Sequence, residues 1–537
     1  MSEVLKQSAV IEAPGLRFKN SALASYLPAI VAVVGAVLLT LLRIQMGGDN
    51  FISDGALMML ALACYLTAAV FHLTDLYAPS NVATKLGLWS ATLGVFFNLG
   101  SWGVRWIAAH DRELVMLTKS GYGPDQMPWF FRYIPFANLY DLSLAFAFGA
   151  GITTLLIAHR KSFRFLGAIS LPLAALILIL ARFIGNDFID LPPVLDSYWR
   201  PIHVGIASLS YGVALVCFAV AVVYLLKDGV KTEAMAIWSS IFALSVFATV
   251  SKFSVFAPST FGTYSASVFR GESRFSLALR ADIPYVGWLL VLAGVLLVGV
   301  IIAFGKYLSS NSEAARGWGH RLLNLSLVAQ GIAIVTLVSQ IKSMKNVLAQ
   351  VNPRQYERFS IWMLQQEKID PARIAQFSGP ELRQMAEGWV EQNGAMLRLS
   401  LNANPVELAA LITAFAATLF VIIFSFRTDK LRAALPPLEK IDSLMYKTAG
   451  VSFAGLALLL MTGAIWANES LGRYWGWDSK ETGAFVAWLT YGAFLHTRIS
   501  RGWTGRASAY FAVVAFLLVI FTYLGVSYLL PGLHSYA

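Results

Sequence analysis

The sequence predicts an all-α protein, a polytopic bundle of transmembrane helices with a small helical extracytoplasmic insert. Composition is the first reason, because 57% of the 537 residues are hydrophobic and 13% are charged, whereas soluble domains carry about 25% charged residues. The mean hydropathy of +0.64 is the second reason. Basic residues lie in short clusters between apolar segments, so the net charge of +11 indicates loops beside a lipid bilayer and not a nucleic-acid partner.

About thirteen stretches have the roughly 20 predominantly apolar residues that a membrane-spanning helix needs. The predicted spans are 24–44, 55–77, 84–109, 137–158, 164–184, 203–226, 235–254, 286–306, 320–342, 405–426, 446–467, 481–497 and 509–530. The connectors predict the orientation, since cytoplasmic loops carry an excess of Lys and Arg. With the N-terminus inside, every strongly basic connector falls on the cytoplasmic side and the C-terminus falls outside.

The same pattern divides the chain into five regions. Residues 1–23 form a cytoplasmic N-terminal segment, 24–226 an N-terminal transmembrane half, and 227–342 a middle transmembrane region to which the sequence assigns no role. Residues 343–404 are rich in Gln, Glu, Arg and Asn and form the predicted outer insert. The last region, 405–537, is transmembrane and contains a tryptophan-rich segment.

That tryptophan-rich segment, 466–482, has the most unusual chemistry of the chain. Indole rings offer flat apolar faces, glycines let a ligand approach the backbone, and basic side chains pair with carboxylates. An aromatic belt at the membrane interface is an equally good explanation of this composition. If the segment binds a planar anionic ligand such as haem, the candidate binding residues are Trp466, Arg473, Tyr474, Trp475, Trp477, Asp478, Lys480 and Glu481.

Four of the seven histidines are candidate ligands of haem iron. His203 begins a span at the outer face and His534 lies in the outer tail, so the two could reach a haem from opposite sides as axial ligands. His72 and His496 lie within or near the inner ends of apolar spans, where an ionisable group suggests a functional site. For His72, a neutral imidazole bonded to a neighbouring helix is as good an interpretation.

The C-terminal run 438–537 contains seven distinctive blocks, at 463–469, 474–478, 480–482, 495–498, 502–506, 523–526 and 532–536. In these blocks and their order, the run resembles the C-terminal part of the CcsA (ResC) family of system II cytochrome c biogenesis. Shorter blocks at 105–106, 138–141 and 195–204 follow the same order in the N-terminal half. We expect the region 230–430 to lie outside the family pattern.

The resemblance implies haem b as the bound substrate or cofactor. Residues 466–481 would be the haem-binding tryptophan-rich (WWD) segment, and His203 and His534 the two outer axial ligands. His496 would be one of an intramembrane pair of ligands. His72 is the candidate for the other, although a partner subunit could supply it.

The implied activity is that of a cytochrome c synthase, or haem lyase, in the bacterial inner membrane. Such a protein presents haem on the outer side and promotes thioether attachment to the CxxCH segment of apocytochrome c. The resemblance also implies a CcsB-type membrane partner. No side chain is an obvious catalytic group, so positioning by the haem site would carry the reaction. A haem exporter or chaperone, a cytochrome b-type anchor and a solute transporter with an aromatic gate are the alternatives.

The chain departs from the family pattern at four places. Leu471, Ser479 and Gly483 stand where the pattern has Trp, Pro and Trp, and Tyr133 stands where it has His.

Overall fold

The computed structural model describes most of the chain. The described residues are 26–48, 50–123, 130–184, 188, 197–249, 263–270, 276–282, 285–343, 356–366, 369–393, 397–400 and 405–526. The predicted cytoplasmic segment 1–23 and the predicted ligand His534 lie outside these residues.

Helices dominate the described part of the chain. In order they are α1 (Leu27–Met46), α2 (Asp54–Tyr77), α3 (Asn81–Lys119), α4 (Leu139–Ala158), α5 (Gly167–Ile184), α6 (Trp199–Lys227), α7 (Thr232–Thr249), α8 (Val286–Ser310), α9 (Glu313–Ser343), α10 (Tyr356–Gln366), α11 (Pro371–Ile374), α12 (Gly379–Asn393), α13 (Pro405–Ser425), α14 (Thr428–Ala434), α15 (Leu438–Leu471), α16 (Ser479–Arg501) and α17 (Arg506–Ile520). A π-helical turn, Phe521–Gly525, continues α17.

The predicted membrane bundle is confirmed. Ten helical segments among the described residues are long and apolar enough to cross a membrane by length and composition, as expected of an integral membrane protein. Every one of the predicted spans overlaps a helix. Three of these helices, α3, α7 and α16, are absent from those ten because they are shorter or more polar. The number of spans and the orientation therefore stay predictions.

Two apolar clusters hold the bundle together. The larger cluster is built from α1 to α6 together with α15, α16 and α17, and it includes Ala409 and Phe424 of α13 and Leu431 of α14. The smaller cluster joins α7, α8 and α9 to α13. Within the larger cluster α6 packs along α15 and also against α17, so the N-terminal half and the C-terminal end of the chain, far apart in sequence, share one core.

A three-stranded antiparallel sheet is present that the all-α prediction did not include. Its strands are β1 (Thr263–Arg270), β2 (Ser276–Asp282) and β3 (Leu397–Ser400), in the order β2-β1-β3. Polar and apolar residues alternate over Thr263–Val268 of β1, the period of a strand, but β2 contains the consecutive apolar residues Leu277, Ala278 and Leu279. The third strand pairs from more than a hundred residues downstream, with Ser267 opposite Ser400.

The outer insert has a small core of its own. The side chains of α10, α11 and α12 pack around Phe359, Trp362 and Leu382. At its margins α10 contacts β2 and α9 contacts β3. The insert is therefore a compact helical unit that contacts the sheet. Its C-terminal end is the strand β3 and not a helix.

Basic connectors meet at one end of the bundle. The Lys227 ammonium donates to the Arg432 carbonyl oxygen at 2.7 Å, and Arg506 pairs with Asp228 at 2.6 Å. These contacts join the end of α6 to α14 and to the start of α17. The bundle thus places these basic connectors together, as an alternating path through a membrane requires.

Candidate ligand-binding site

The tryptophan-rich loop is held in shape by two carboxylates. Asp478 caps α16 by accepting the Lys480 amide N–H at 3.2 Å. Glu481 reaches back and accepts the backbone N–H groups of Gly476 at 2.9 Å and of Asp478 at 3.2 Å. This reciprocal arrangement is a capping box, which satisfies amides that a helix start leaves without partners. The structure thus gives both acidic residues a role in positioning the loop.

Trp477 has a backbone conformation that few residues adopt. Its φ of 54° lies in the left-handed region, where side chains with a Cβ are strained. The Trp477 indole is 69% exposed. Such strain persists only where the surrounding structure holds it, and it is common at functional sites. The capping box described above supplies that support.

Aromatic rings extend from the loop along α16. The rings of Trp475 and Trp477 meet edge to face, 5.7 Å apart and at 84°. Phe485 lies 6.0 Å from Trp475 and 5.9 Å from Trp488, and Trp488 stacks on Phe453 of α15 at 15°. The tryptophan-rich loop is therefore one end of a continuous row of aromatic rings between α15 and α16.

His203 faces the same region from the first turns of α6. Its Nδ1 lies 3.0 Å from the carbonyl oxygen of Leu459, and its ring centroid is 5.6 Å from that of Trp466. A Cβ on Gly463 would lie 2.8 Å from the His203 Cε1. The absence of a side chain at Gly463 therefore lets the imidazole lie against α15.

A cleft between α4, α6, α15 and α16 collects these groups. Of the binding residues predicted from the sequence, six line it: His203, Trp466, Tyr474, Trp475, Lys480 and Glu481. Arg473, Trp477 and Asp478 belong to the same loop but do not line the cleft. Arg473 lies over Gly476, whose Cβ would be 2.8 Å from the guanidinium carbon.

Other lining residues were not predicted as site residues. Phe136 lies just before α4, Leu142 is in the first turn of α4, Tyr211 is on α6, and Tyr523 is in the π-helical turn. The Tyr523 hydroxyl lies 2.6 Å from the Ser143 hydroxyl. The block 523–526 contains Tyr523, and the block 138–141 lies between Phe136 and Leu142, so these blocks were the available sequence signals for three of the four residues. No such signal pointed to Tyr211.

His72 and His496 lie elsewhere. His72 is buried, 3% exposed, and Gly87 and Gly167 pack against its ring, where a Cβ would come within 3.3 Å and 2.2 Å of it. His496 is exposed, with Nδ1 3.4 Å from the Ser500 hydroxyl. Since α2 packs on α3 and α5, and α16 on α15 and α17, their helices have different neighbours. Their role as an intramembrane ligand pair stays a prediction.

Comparison with known proteins decides the family. The model of the family described as cytochrome C assembly protein matches residues 136–349 and 407–534. The two matched parts cover more than half of the chain. This chain belongs to that family. The expectation that 230–430 lies outside the pattern is therefore wrong for most of that region, and the interval between the two matched parts coincides with the outer insert.

Part of the chain is also similar in sequence to curated proteins. The chain is 56% identical over 98 residues to the cytochrome c biogenesis protein CcsA of Prochlorococcus marinus (strain MIT 9515), which is 18% of this chain and 31% of that protein. It is 52% identical over 98 residues to CcsA of Synechococcus sp. (strain CC9902), covering 18% and 32%. The chain thus spans about a third of the length of the curated relatives that it matches.

The structure explains one departure from the family pattern. A Cβ on Gly483 would lie 2.8 Å from the Thr522 hydroxyl oxygen, so a tryptophan there would collide with the π-helical turn. Leu471, at a second departure, is 39% exposed and lines the cleft. Leu471 lines the cleft and Gly483 does not, so the cleft has a leucine at one of the two positions where the resemblance implies tryptophan.

Proposed function

We propose that this protein takes part in cytochrome c biogenesis by binding haem b in the cleft. It holds the haem on the outer side of the bacterial inner membrane and promotes its thioether attachment to the CxxCH segment of apocytochrome c. Haem is here a substrate that passes through the site. The proposal combines membership of the cytochrome C assembly family with the chemistry of the cleft.

The position of His203 is the observation that carries the proposal. The 3.0 Å contact with the Leu459 carbonyl oxygen requires the proton on Nδ1, because a carbonyl only accepts hydrogen bonds. The lone pair of the neutral ring then lies on Nε2. Fixing the tautomer through the second nitrogen is how proteins orient a histidine that binds a metal, and Trp466 fixes the ring beside the cleft.

The remaining lining fits a macrocycle with an apolar face and polar edges. Leu139, Leu142 and Leu460 supply apolar wall. The indole nitrogens of Trp466 and Trp475 are buried with no hydrogen-bond partner among the described residues. Buried hydrogen-bond donors without a partner are rare in folded proteins, and a ligand with acceptor groups would satisfy these two.

Roles follow for the other predicted residues. Arg473, exposed at the rim, pairs with a haem propionate, and Trp475 and Trp477 support the ring face. His534 would supply a second imidazole to the haem iron. His496 contributes to an inner haem site, with its second ligand from His72 or from a partner subunit. Because the His72 ring is enclosed by Gly87 and Gly167, a ligand from a CcsB-type partner fits the packing better.

Attachment joins each cysteine thiol to a haem vinyl group and needs two thiols to meet two vinyl groups in one geometry. Orientation can supply much of such a barrier. The cleft walls fix the haem, and the partners of the reaction are an exported apocytochrome and a CcsB-type membrane subunit.

Replacement of His203 tests the proposal. The His203→Gly variant, purified from membranes, is expected to lose haem absorbance at least about tenfold and to stop maturing a coexpressed cytochrome c. Added imidazole restores part of both, because it occupies the ligand position. His159→Ala is the matched control, since its ring contacts the Leu156 carbonyl oxygen and Tyr26 and does not line the cleft.

Two results would change the conclusion. Wild-type haem absorbance and maturation in the His203→Gly variant would contradict the proposed site. Wild-type protein that binds haem, yet forms no covalent product with a CcsB-type partner and apocytochrome in a host without its own maturation proteins, would favour the haem exporter.

A further inference from the structure

Lys480 occupies an unfavourable place for a positive charge. It is the second residue of α16, after the cap Asp478 and Ser479. The backbone N–H groups and the dipole give a helix start a partial positive charge, which disfavours a cation there. Residues that conflict with their local surroundings are expected at functional sites. Lys480 lines the cleft that also contains His203 and Trp475.

The surroundings of Lys480 stabilise the neutral amine more than water does. Burial lowers the pKa of Lys480 to about 8, although the nearby Asp478 carboxylate opposes the shift. An amine with a pKa near the working pH suits proton transfer, because both of its forms are then populated. The titratable groups on the elements around it are Asp478, Glu481 and Tyr474 in the loop, Tyr523 in the π-helical turn, and His203 and Tyr211 on α6.

Those neighbours have other tasks. The Glu481 carboxylate accepts two backbone amides, and the Asp478 side chain caps the helix. The hydroxyl of Tyr523 contacts Ser143, and His203 is held by Leu459. Lys480 therefore lies in the cleft beside groups whose positions are fixed by other contacts, where its amine can exchange a proton with a bound ligand.

We propose that Lys480 transfers the proton during thioether formation, an inference that rests on the proposed function. The neutral amine accepts the proton as the cysteine S–H bond breaks. The sulfur electron pair forms the C–S bond at the inner carbon of a haem vinyl group, and the ammonium returns the proton to the terminal carbon. The C=C bond becomes a single bond, the amine is regenerated, and no oxidant or reductant is consumed.

This role separates Lys480 from the residues that bind haem. A lysine that only paired with a propionate would change haem loading when replaced. A proton carrier leaves loading unchanged and alters the rate and its pH dependence. The inference therefore assigns the propionate contact to Arg473 and the thiol proton to Lys480.

The experiment compares full-length wild-type protein with Lys480→Gln and Lys480→Arg, each loaded with haem under reducing conditions and mixed with a CxxCH peptide. Lys447→Gln, at an exposed position of α15, is the control. Haem per protein is read from absorbance, and covalent haem–peptide product is read after denaturation between pH 6 and 9.

Wild-type attachment is expected to be fastest near pH 8. The reaction needs the neutral amine of Lys480, which predominates above pH 8. It also needs the cysteine thiol to carry its proton, and that proton is lost above about pH 8.5. Both Lys480 variants are expected to keep their haem, and at pH 7 their attachment rate falls about 100-fold, a usual size for general acid–base catalysis. Their residual rate rises continuously to pH 9, following the thiolate alone.

Equal rates and pH profiles in wild type and Lys480→Gln, with haem retained, would overturn the proton-transfer role and leave the haem site intact. Loss of haem from both Lys480 variants would also overturn it, in favour of a binding role. Failure of the proposed function is seen separately, as haem retention by the His203→Gly variant.

Discussion

At the scale of single residues, the cleft depends on a close approach between α6 and α15. The His203 imidazole lies in the space beside Gly463, and its Nδ1 contacts the backbone of the same helix at Leu459. The orientation of the proposed iron ligand is thus set by a residue without a side chain. Helix interiors disfavour glycine by about 0.5–1 kcal/mol relative to alanine, so its presence here has a local cost.

Gly463→Ala is expected to displace the imidazole, because the new Cβ would lie 2.8 Å from Cε1. Haem absorbance of the purified variant should fall about tenfold or more, as when the support of a metal ligand is removed. Gly450→Ala on the same helix is the control, since no atom lies within 4 Å of its Cβ. Equal haem content in the two variants would show that the close approach is unimportant.

Residue chemistry was only partly predictable. The sequence predicted that His203, Trp475 and Lys480 belong to one site, because their types suit a planar anionic ligand, and all three line the cleft. It did not reveal that Glu481 serves the loop, since that role depends on two amides which come close only when α16 begins at Ser479. The enclosure of His72 by glycines of two other helices is equally invisible in a linear pattern.

At the scale of elements, the loop between α15 and α16 behaves as one unit. Gly472 ends α15 in the left-handed conformation, with φ of 69°, and the Asp478 cap begins α16. Between them Glu481 holds the backbone that carries Trp475 and Trp477. The positions of Trp475 and Trp477 therefore depend on a few hydrogen bonds at the start of α16.

Glu481→Ala is expected to release this loop. Two backbone amides lose their acceptor, which costs about 2 kcal/mol when the groups remain shielded from water. The variant should show altered tryptophan fluorescence, faster proteolysis between α15 and α16, and reduced haem content. Glu439→Ala provides the comparison, because Glu439 lies in the first turn of α15, where the N-cap makes no side-chain hydrogen bond. Unchanged fluorescence and haem content would contradict the role of the capping box.

Helices were predictable where strands were not. Helices such as α1 and α8 can be predicted almost from composition, because each is an apolar run of membrane length. A helix also satisfies its own backbone hydrogen bonds, so no distant partner is needed. A strand needs a partner, and β1 takes one of its two from Leu397–Ser400, beyond two membrane helices and the insert. Local sequence carries no information about such a pairing.

At the scale of the molecule, a buried ionic group joins three helices. Arg105 of α3 is 1% exposed and pairs with Asp141 of α4 and with Asp54 of α2, the latter at 3.4 Å. Tyr140 adds a hydroxyl contact of 3.0 Å to Asp54. Charges inside such a bundle are expensive unless they are paired, so this group makes the relative placement of α2, α3 and α4 specific.

Arg105→Met is expected to destabilise the protein by about 3–5 kcal/mol, because two carboxylates remain buried without their cation. The thermal midpoint in detergent should fall, together with the yield of folded protein. Arg383→Met serves as the comparison, since its exposed pair with Glu387 should contribute less than about 1 kcal/mol. A similar midpoint for both variants would show that the buried group does not stabilise the fold.

The outer insert has a core separate from the two membrane clusters, and it falls in the interval between the two parts of the family match. Because α9 contacts β3, the described elements on either side of the insert lie near one another, and a short Gly/Ser linker can replace residues 356–393. Haem absorbance per protein should then stay within about twofold of wild type, as expected when a surface unit with its own core is removed. A scrambled Gly/Ser linker of equal length controls for linker sequence. Loss of haem in both deletions, with folded protein recovered, would mean that the insert is part of the haem site.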